Sequence, residues 1–342
     1  MEHLLNSRDR SNLGFCLSIA VPVYNEESVL PELLARVCAV LDRIPSGPHE
    51  ILFVNDGSSD GSMHILEQAS DIDPRISVIS LSRNFGHQAA LSAALDHVSG
   101  DAVVLLDADL QDPPEIISNF IDFFKEGYDV VYATRATRKE SWWLRVCYRI
   151  FYRLQSSLSA IHLPLDAGDC GLMSRRVVEE IRRMPEQHRY LRGLRSWVGF
   201  RQVAVPVERH QRHSGQSKYG FIKLLKLATD GIFAFSVLPL RAATLMGTLA
   251  VGLATTYAVY SVYAKFVLNR VPQGFTALVF MLTFLFGVVL FFLGIVGEYV
   301  GRIYEEIKSR PLYVIDRIVG RISPDQSNTS YEVDGRRATP QK

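Results

Sequence analysis

The chain is short of cysteine and of net charge. Its 342 residues carry 37 basic and 36 acidic side chains, and a formal net charge of +1 gives no argument for nucleic acid as a partner. The first apolar run is followed by PVYNEE instead of a GxGxxG motif, which argues against a dehydrogenase. The cysteines form no CxxC pair, which predicts reduced thiols that serve packing in a cytosolic compartment: Cys16, Cys38, Cys147 and Cys170.

Charge is absent from two long segments near the C-terminus. Residues 242–262 and 275–297 contain no acidic or basic side chain, and each has about the 20 residues needed to cross a hydrocarbon core. The second segment also lacks a polar face, which argues against a buried helix of a soluble core. The sequence therefore predicts a transmembrane hairpin with helices at 239–264 and 275–299. The N-terminus, MEHLLNSRDRSN, is too polar for a signal peptide.

Basic residues are unevenly distributed around this hairpin. The link between its helices carries Lys265 and Arg270. The outer flanks carry more: Lys218, Lys223, Lys226 and Arg241 before, and Arg302, Lys308, Arg310, Arg317 and Arg321 after. Lysine and arginine favour the cytoplasmic side of a membrane. The protein is therefore predicted to lie in the cell membrane with both termini in the cytoplasm.

The chain up to about residue 210 alternates between two patterns. Apolar runs rich in β-branched residues occupy 15–23, 50–56, 76–81, 101–107 and 128–135, and helical patterns lie between them at 29–41, 62–69, 89–97 and 114–124. This alternation predicts an α/β domain over 15–212, with a mostly parallel sheet covered by helices. Segment 213–238 mixes lysines with apolar residues, which is typical of a helix in the membrane interface or of one packed on the soluble domain. The other predicted segments are 1–14 at the N-terminus, 300–322 in the cytoplasm and a disordered polar tail at 323–342.

Polar side chains follow three of the predicted strands. Asn25 and Glu26 follow the first, Asp56 the second, and Asp107 and Asp109 end the apolar run 102–106. Parallel sheets bind ligands at the carboxyl ends of their strands, so these residues are predicted to share one site.

The stretch DADLQDPP, residues 107–114, raises the question of what neutralises two carboxylates one residue apart. A hard divalent cation, Mg²⁺ or Mn²⁺, suits them, with Gln111 as a neutral oxygen ligand and substrate phosphates as the rest. Such pairs are also found as solvated loop acids, and Asp112 before Pro113 is a candidate helix cap.

Five motifs in order carry a family resemblance: VPVYNEE (21–27), NDGSSDG (55–61), RNFG (83–86), DADLQDPPE (107–115) and SGQSKYG (214–220). They resemble glycosyltransferase family 2, which has the GT-A fold. Within it the chain is similar to polyprenyl-phosphate sugar synthases such as dolichyl-phosphate mannose synthase and bacterial undecaprenyl-phosphate glucosyltransferases. The resemblance covers about residues 15–310, including the hairpin.

The resemblance implies roles for individual residues. The nucleotide pocket would be lined by Pro22, Tyr24, Asn25, Glu26, Asp56, Arg83 and Asp107, with Asp56 accepting the N–H of uracil. The metal ligands would be Asp107, Asp109 and Gln111. The acceptor phosphate would meet Arg135, Arg145, Arg149, Ser217 and Lys218, with Arg209 or Arg212 as a basic partner for the phosphates. Asp107, Asp109, Arg135, Arg212 and Lys218 form the predicted catalytic set.

The function implied is an inverting transfer from a UDP-sugar, with glucose as the first expectation, to a polyprenyl phosphate in the bilayer. The acceptor is already an anion, so no strong general base is required; Asp166 and Asp169 are candidates to orient the acceptor or the sugar, or to cap loops. Polymer-forming synthases of the family carry a QxxRW motif, and RGLRSW (192–197) has one residue too many. Two membrane helices form a small anchor, which favours association between copies.

Two alternatives remain open from the sequence. The first is a mannose or aminosugar donor in the same reaction. The second is a membrane scaffold or transport protein with a degenerate nucleotide domain, and it is disfavoured because the hairpin cores lack the charged residue that a transport pathway normally needs.

Overall fold

Apolar, β-branched runs form the strands, and the amphipathic segments between them form the helices. The computed structural model describes residues 14–45, 47–135, 167–187, 189–207, 238–267 and 274–321. The strands are β1 (Leu17–Val23), β2 (Glu50–Asn55), β3 (Ile76–Leu81), β4 (Ala102–Leu105), β5 (Val130–Arg135), β6 (Ala167–Ser174), β7 (Gln202–Val207) and β8 (Ile315–Val319). The helices are α1 (Leu30–Leu41), α2 (Ser62–Ile72), α3 (His87–His97), α4 (Ile116–Lys125), α5 (Arg175–Arg182), α6 (Leu191–Trp197), α7 (Leu238–Phe266) and α8 (Phe275–Lys308).

The strands of the described residues form one sheet in the order β7-β5-β6-β4-β1-β2-β3-β8. Strand β1 runs parallel to β2 and β4, β2 is parallel to β3, and β5 is parallel to β7. Strands β6 and β8 run antiparallel to their neighbours. The predicted α/β fold with a mostly parallel sheet is therefore confirmed.

Helices cover both faces of this sheet. Helices α1 and α4 bury Leu33 and Phe120 against one face, together with α2. Helices α3 and α5 bury Leu91 and Val178 against the other face, together with α6. Full burial of one such side chain contributes about 1.5–3 kcal/mol, so the two apolar layers hold the strand ends in fixed positions.

Helices α7 and α8 are long and apolar. They contain 29 and 34 residues, which at a rise of about 1.5 Å per residue exceeds the roughly 30 Å hydrocarbon core of a bilayer. Segments Ala243–Ser261 and Phe284–Lys308 have the length and apolarity to cross a membrane, and neither is buried in the protein. Helix α8 continues beyond residue 299, and its last turns carry charged residues. Of the predicted interfacial segment 213–238 only Leu238, the first residue of α7, is described, and the tail at 323–342 lies outside the described residues.

After α8 the chain returns to the soluble sheet. Strand β8 pairs antiparallel with β3, with Ile79 opposite Ile318 and Leu81 opposite Ile315. The Ser82 N–H donates to the Val314 carbonyl at 2.9 Å, so the chain reaches the sheet at the carboxyl end of β3. The last strand of the sheet is thus supplied by the chain that follows α7 and α8.

Candidate active site

The carboxyl ends of the parallel strands meet at one edge of the sheet, and many of the predicted site residues lie there. Strand β1, in which Pro22 is buried, leads into Tyr24 and Asn25, and β2 leads into Asp56. The order β4-β1-β2 puts these loops at the point where chain order in the sheet reverses, which is the usual ligand crevice of such folds. Asp169 reaches the same edge from the start of antiparallel β6.

Hydrogen bonds tie together the loops that follow β1 and β2. The Asn25 side-chain oxygen accepts the Ser59 N–H at 2.8 Å, and Asn25 has a φ of 56°. The Glu26 N–H donates to the Ser62 hydroxyl at 2.9 Å. Asn25 is therefore fixed by the fold itself, whereas the neighbouring Tyr24 is 49% exposed and presents its ring to solvent.

Asp56 is buried and orders the loop that follows β3. Its two carboxylate oxygens accept the N–H groups of Phe85 at 2.7 Å and Gly86 at 2.9 Å. Burial raises the pKa of Asp56, although these two hydrogen bonds oppose the rise. At Gly57, where φ is 67°, a Cβ would come within 2.5 Å of the Arg83 carbonyl carbon, so the two loops pack too closely for any side chain there. The contact of Asp56 with a base stays a prediction.

Arg83 lies exposed on this ordered loop. Its guanidinium carbon is 4.1 Å from the centre of the Phe85 ring, and Nη1 donates to the Asn84 carbonyl at 3.1 Å. The guanidinium is thus held close to the loop that Asp56 orders, near the strand-end crevice.

The turn after β4 leaves the three predicted metal ligands more exposed than the residues between them. Half-buried and buried side chains alternate along it. Asp107, Asp109 and Gln111 are half-buried, and Ala108, Leu110 and Asp112 are buried. Leu110 adopts a φ of 56°, and the Asp109 Oδ1 accepts the Gln111 N–H at 3.1 Å. The two carboxylates therefore occupy more exposed positions of a shaped turn.

Asp107 lies among other acids. Burial raises its pKa to about 6, and the nearby Asp169 and Asp109 add to the rise while His87 opposes it. A cation bound at Asp107 would relieve this cost.

The turn fits a divalent metal ion that shares its ligands with a substrate. Within the residues that the structure describes, no three His, Cys, Asp or Glu side chains are grouped as a complete metal site. Mg²⁺ is commonly held by one or two carboxylates together with substrate phosphates. The two carboxylates and the Gln111 amide match that pattern, because a bound diphosphate would complete the shell.

A second charged cluster faces Asp107. Asp169 is buried and accepts two hydrogen bonds from Arg192, with Nε to Oδ1 at 2.7 Å and Nη2 to Oδ2 at 2.6 Å. The His87 Nε2 lies 3.6 Å from the Asp169 Oδ2 and 3.5 Å from the Asp107 Oδ1. Burial alone would raise the pKa of Asp169, but its bonds with Arg192 and His87 hold that pKa below the usual range. Asp169 is therefore ionised, and His87 lies between it and Asp107.

Arg195 lies behind this cluster. It is buried, its Nη2 donates to the Gly168 carbonyl at 3.3 Å, and its guanidinium carbon is 4.9 Å from the centre of the Tyr132 ring. Burial lowers its pKa to about 10, so it remains a cation at neutral pH. It adds positive charge next to Asp169.

Sequence reasoning missed His87, Arg192 and Arg195. His87 directly follows the RNFG motif, and the two arginines belong to RGLRSW, which was compared only with the motif of polymer-forming synthases. The available signal was the position of these residues: His87 adjoins a motif of the family resemblance, and both arginines lie in RGLRSW.

Other predicted residues lie outside this picture. Arg135 ends β5 at the same edge of the sheet, opposite Val207 of β7. These predicted residues lie outside the described ranges: Arg145, Arg149, Asp166, Arg209, Arg212, Ser217 and Lys218.

Known proteins resemble this chain over most of its length. Residues 18–182 match the family profile "Glycosyl transferase family 2". The chain is 46% identical over 304 residues to an uncharacterised glycosyltransferase of Bacillus subtilis (89% of this chain, 94% of the relative). It is 43% identical over 305 residues to an uncharacterised glycosyltransferase of Synechocystis (89% and 96%). It is 39% identical over 302 residues to the SfII prophage-derived bactoprenol glucosyl transferase of Shigella flexneri (88% and 97%).

The acidic turn lies at the carboxyl ends of the strands, where open α/β sheets bind their ligands. The chain belongs to glycosyltransferase family 2.

Proposed function

We propose that this protein transfers glucose from UDP-glucose to a polyprenyl phosphate at the cytoplasmic face of a membrane, with inversion at the anomeric carbon. The relative named as a bactoprenol glucosyl transferase, 39% identical to this chain, supports the choice of sugar and acceptor. One geometric observation carries the proposal: the acidic turn and the return of the chain from α8 lie at the same edge of the sheet.

This shared edge follows from strand directions. Strand β4 delivers Asp107 at its carboxyl end. Strand β3 is parallel to it, and its carboxyl end meets Val314, six residues after α8 ends at Lys308. The edge that carries the acids therefore faces the membrane helices, where a lipid-borne phosphate would be found.

The acidic turn and Arg83 are proposed to bind the donor nucleotide sugar. A divalent ion held by Asp107 and Asp109 would neutralise the charge that develops on the departing diphosphate. Arg83 on the ordered loop is proposed to contact the nucleotide, and the exposed ring of Tyr24 is proposed to contact the base. Mg²⁺ and Mn²⁺ both suit this oxygen-rich set.

The acceptor phosphate supplies its own nucleophile in this scheme. Its oxygen attacks the anomeric carbon, the bond from that carbon to the diphosphate oxygen breaks, and the electron pair leaves with UDP. Asp169 is a poor general base, because Arg192 and His87 hold its pKa low and occupy its oxygens. Its ionised carboxylate is suited to orienting a sugar hydroxyl or the acceptor.

A set of residues mostly outside the described ranges completes the proposal. Arg145, Arg149, Arg212, Ser217 and Lys218 are proposed to meet the acceptor phosphate, together with Arg135 at the end of β5. Arg145, Arg149 and Arg212 belong to the domain predicted over 15–212, and Ser217 and Lys218 belong to the segment 213–238 before the hairpin.

The pairing of β8 with β3 supports the proposed topology. The sheet precedes the hairpin in the chain, and β8 follows it, so both ends of the hairpin lie on one side of the membrane. The excess of lysine and arginine on that side favours the cytoplasm.

A reconstitution assay tests the proposal. The intact protein is placed in vesicles that contain undecaprenyl phosphate, and UDP-glucose, UDP-N-acetylglucosamine and GDP-mannose are offered separately with Mg²⁺ or Mn²⁺. We expect UDP-glucose to give a glucosyl lipid by mass spectrometry, with a β-linkage from the α-linked donor. Preference for GDP-mannose would overturn the sugar assignment, and the absence of any glycolipid with all donors would overturn the function.

A further inference from the structure

Two side-chain contacts join the C-terminal end of the membrane hairpin to the soluble domain. The Glu306 carboxylate, in the last turn of α8, accepts the Gln187 N–H with both oxygens at 3.0 Å. The Tyr313 hydroxyl, between α8 and β8, donates to the Asp96 Oδ2 at 2.9 Å. Neither contact belongs to the sheet or touches the crevice directly.

The Glu306 contact holds the segment that leads into α6. Gln187 lies four residues before Leu191, the first residue of α6, and the Leu191 N–H donates to the Gln88 side-chain oxygen at 3.0 Å. The next residue, Arg192, makes the two hydrogen bonds to Asp169. Glu306 is therefore one short segment away from the arginine that fixes the Asp169 carboxylate.

The Tyr313 contact holds the other element of the same cluster. Helix α3 begins with His87, which faces Asp107 and Asp169, and its far end carries Asp96. Burial raises the pKa of Tyr313, and the neighbouring Asp96 adds to the rise, so the hydroxyl keeps its proton and remains a donor. Both elements that flank Asp169 are thus bound to the residues that leave the membrane.

We infer that Glu306 is a positioning residue for glycosyl transfer: the last turn of the second membrane helix sets the position of Arg192, and through it Asp169, by binding the Gln187 backbone. The inference rests on the proposed function. A carboxylate accepting a backbone N–H forms a strong, charge-assisted hydrogen bond, and short segments between helices otherwise open easily. A displacement of about 1 Å in a reacting site costs up to about a hundredfold in rate.

Glu306 is not needed to attach the hairpin to the soluble domain. Strand β8 does that through its pairing with β3, and two further contacts support it: Arg317 to Glu67 at 2.8 Å, and the Ser77 hydroxyl to the Arg321 carbonyl at 2.9 Å. Loss of the Glu306 contact therefore leaves attachment in place and changes only the segment that it binds.

The test compares Glu306→Ala with Glu306→Gln in the intact, membrane-reconstituted chain. Alanine removes the acceptor, whereas glutamine keeps one oxygen that can accept the Gln187 N–H. We expect kcat to fall about tenfold or more in the alanine variant, with the KM for the nucleotide sugar little changed, and to recover largely in the glutamine variant. Glu305→Ala is the matched control, because Glu305 is the exposed neighbour on the same helix.

Hydrogen exchange of the backbone separates positioning from general destabilisation. In Glu306→Ala we expect faster exchange confined to residues 183–195, with unchanged exchange in β8 and in the rest of the sheet. Wild-type kcat in the alanine variant, unchanged exchange in 183–195, or faster exchange throughout the domain would each overturn the inference. If the wild-type chain makes no glycolipid, the proposed function fails, and the exchange measurement alone decides whether Glu306 holds this segment.

Discussion

Replacing Asp107 with asparagine is expected to stabilise the protein when no metal is bound. Burial raises the pKa of Asp107 from 3.8 to about 6, so the folded protein holds a proton there more tightly than the unfolded chain does. Such a group contributes stability that is fully present below pH 3.8 and is lost as the pH rises through about 6. Asparagine has nearly the same shape and no charge, so it removes this loss.

The magnitude follows from the difference in pKa. A difference of about two pH units corresponds to about 3 kcal/mol at pH 8. The side chain is 29% exposed, and water reduces the value to about 1–2 kcal/mol. For a soluble domain of this size each kcal/mol moves the melting temperature by about 2–4 °C, so Asp107→Asn should melt about 2–8 °C higher at pH 8.

The assay is thermal unfolding of the detergent-solubilised chain, followed by intrinsic fluorescence between pH 4 and pH 8 with a chelator present. The gain should vanish near pH 4 and grow up to about pH 7. Adding Mn²⁺ with UDP should reverse the order, because ligand binding stabilises only a chain that binds the metal.

Asp60→Asn is the control of opposite sign. Hydrogen bonds from Ser62 and from the Glu27 N–H outweigh burial and lower the pKa of Asp60. Its stability contribution is present above its unfolded pKa and lost as the pH falls, so asparagine there should destabilise the protein at pH 8. If metal-free Asp107→Asn melts below the wild type at pH 8, the reasoning about the buried charge is refuted.

Three further predictions concern activity and topology. Asp109→Asn should keep the fold and lose most transfer, measured as glycolipid formed with Mg²⁺; full turnover would remove Asp109 from the metal site. A cysteine at Gln273 should react with an impermeant thiol reagent in intact cells, whereas labelling only after lysis would reverse the topology. Arg192→Met removes the main partner that lowers the pKa of Asp169, so burial then raises it, and transfer should decline more steeply than in the wild type between pH 7 and pH 5. A pH–rate profile parallel to that of the wild type would contradict this.

The first five strands could be predicted from sequence because they are apolar runs, and β1 to β4 are buried on both faces of the sheet except at Glu50. Strand β1, LSIAVPV, is buried throughout, and such a run has few alternative positions in a soluble domain. The acids at the strand ends followed from the same pattern. Strand β6, AGDCGLMS, could not be predicted, because glycine, aspartate and serine obscure its apolar side chains.

Long-range contacts explain the rest of what the sequence did not reveal. Arg192 of α6 pairs with Asp169 across 23 residues. His87 approaches the same carboxylate from α3, a different helix. The nearby motifs do not show which distant side chains meet, because each side chain alone is an ordinary polar residue. The pairing of β8 with β3 is of the same kind, since its pattern is short and two membrane helices separate it from its partner.

The pairing of β8 with β3 also determines when the sheet can be completed during synthesis of the chain. Ser77 in β3 and Arg321 beyond β8 contact each other across 244 residues. At a synthesis rate of about 5–20 residues per second, roughly 12–50 s pass between the emergence of these two parts of the chain. Throughout that interval the edge of β3 has no β8 to cover it, and an uncovered strand edge is a site for wrong pairing between chains. Strand β8 follows the hairpin in the chain. It can therefore cover the edge of β3 only after the second membrane helix has inserted with its C-terminal end on the same side of the membrane as the sheet.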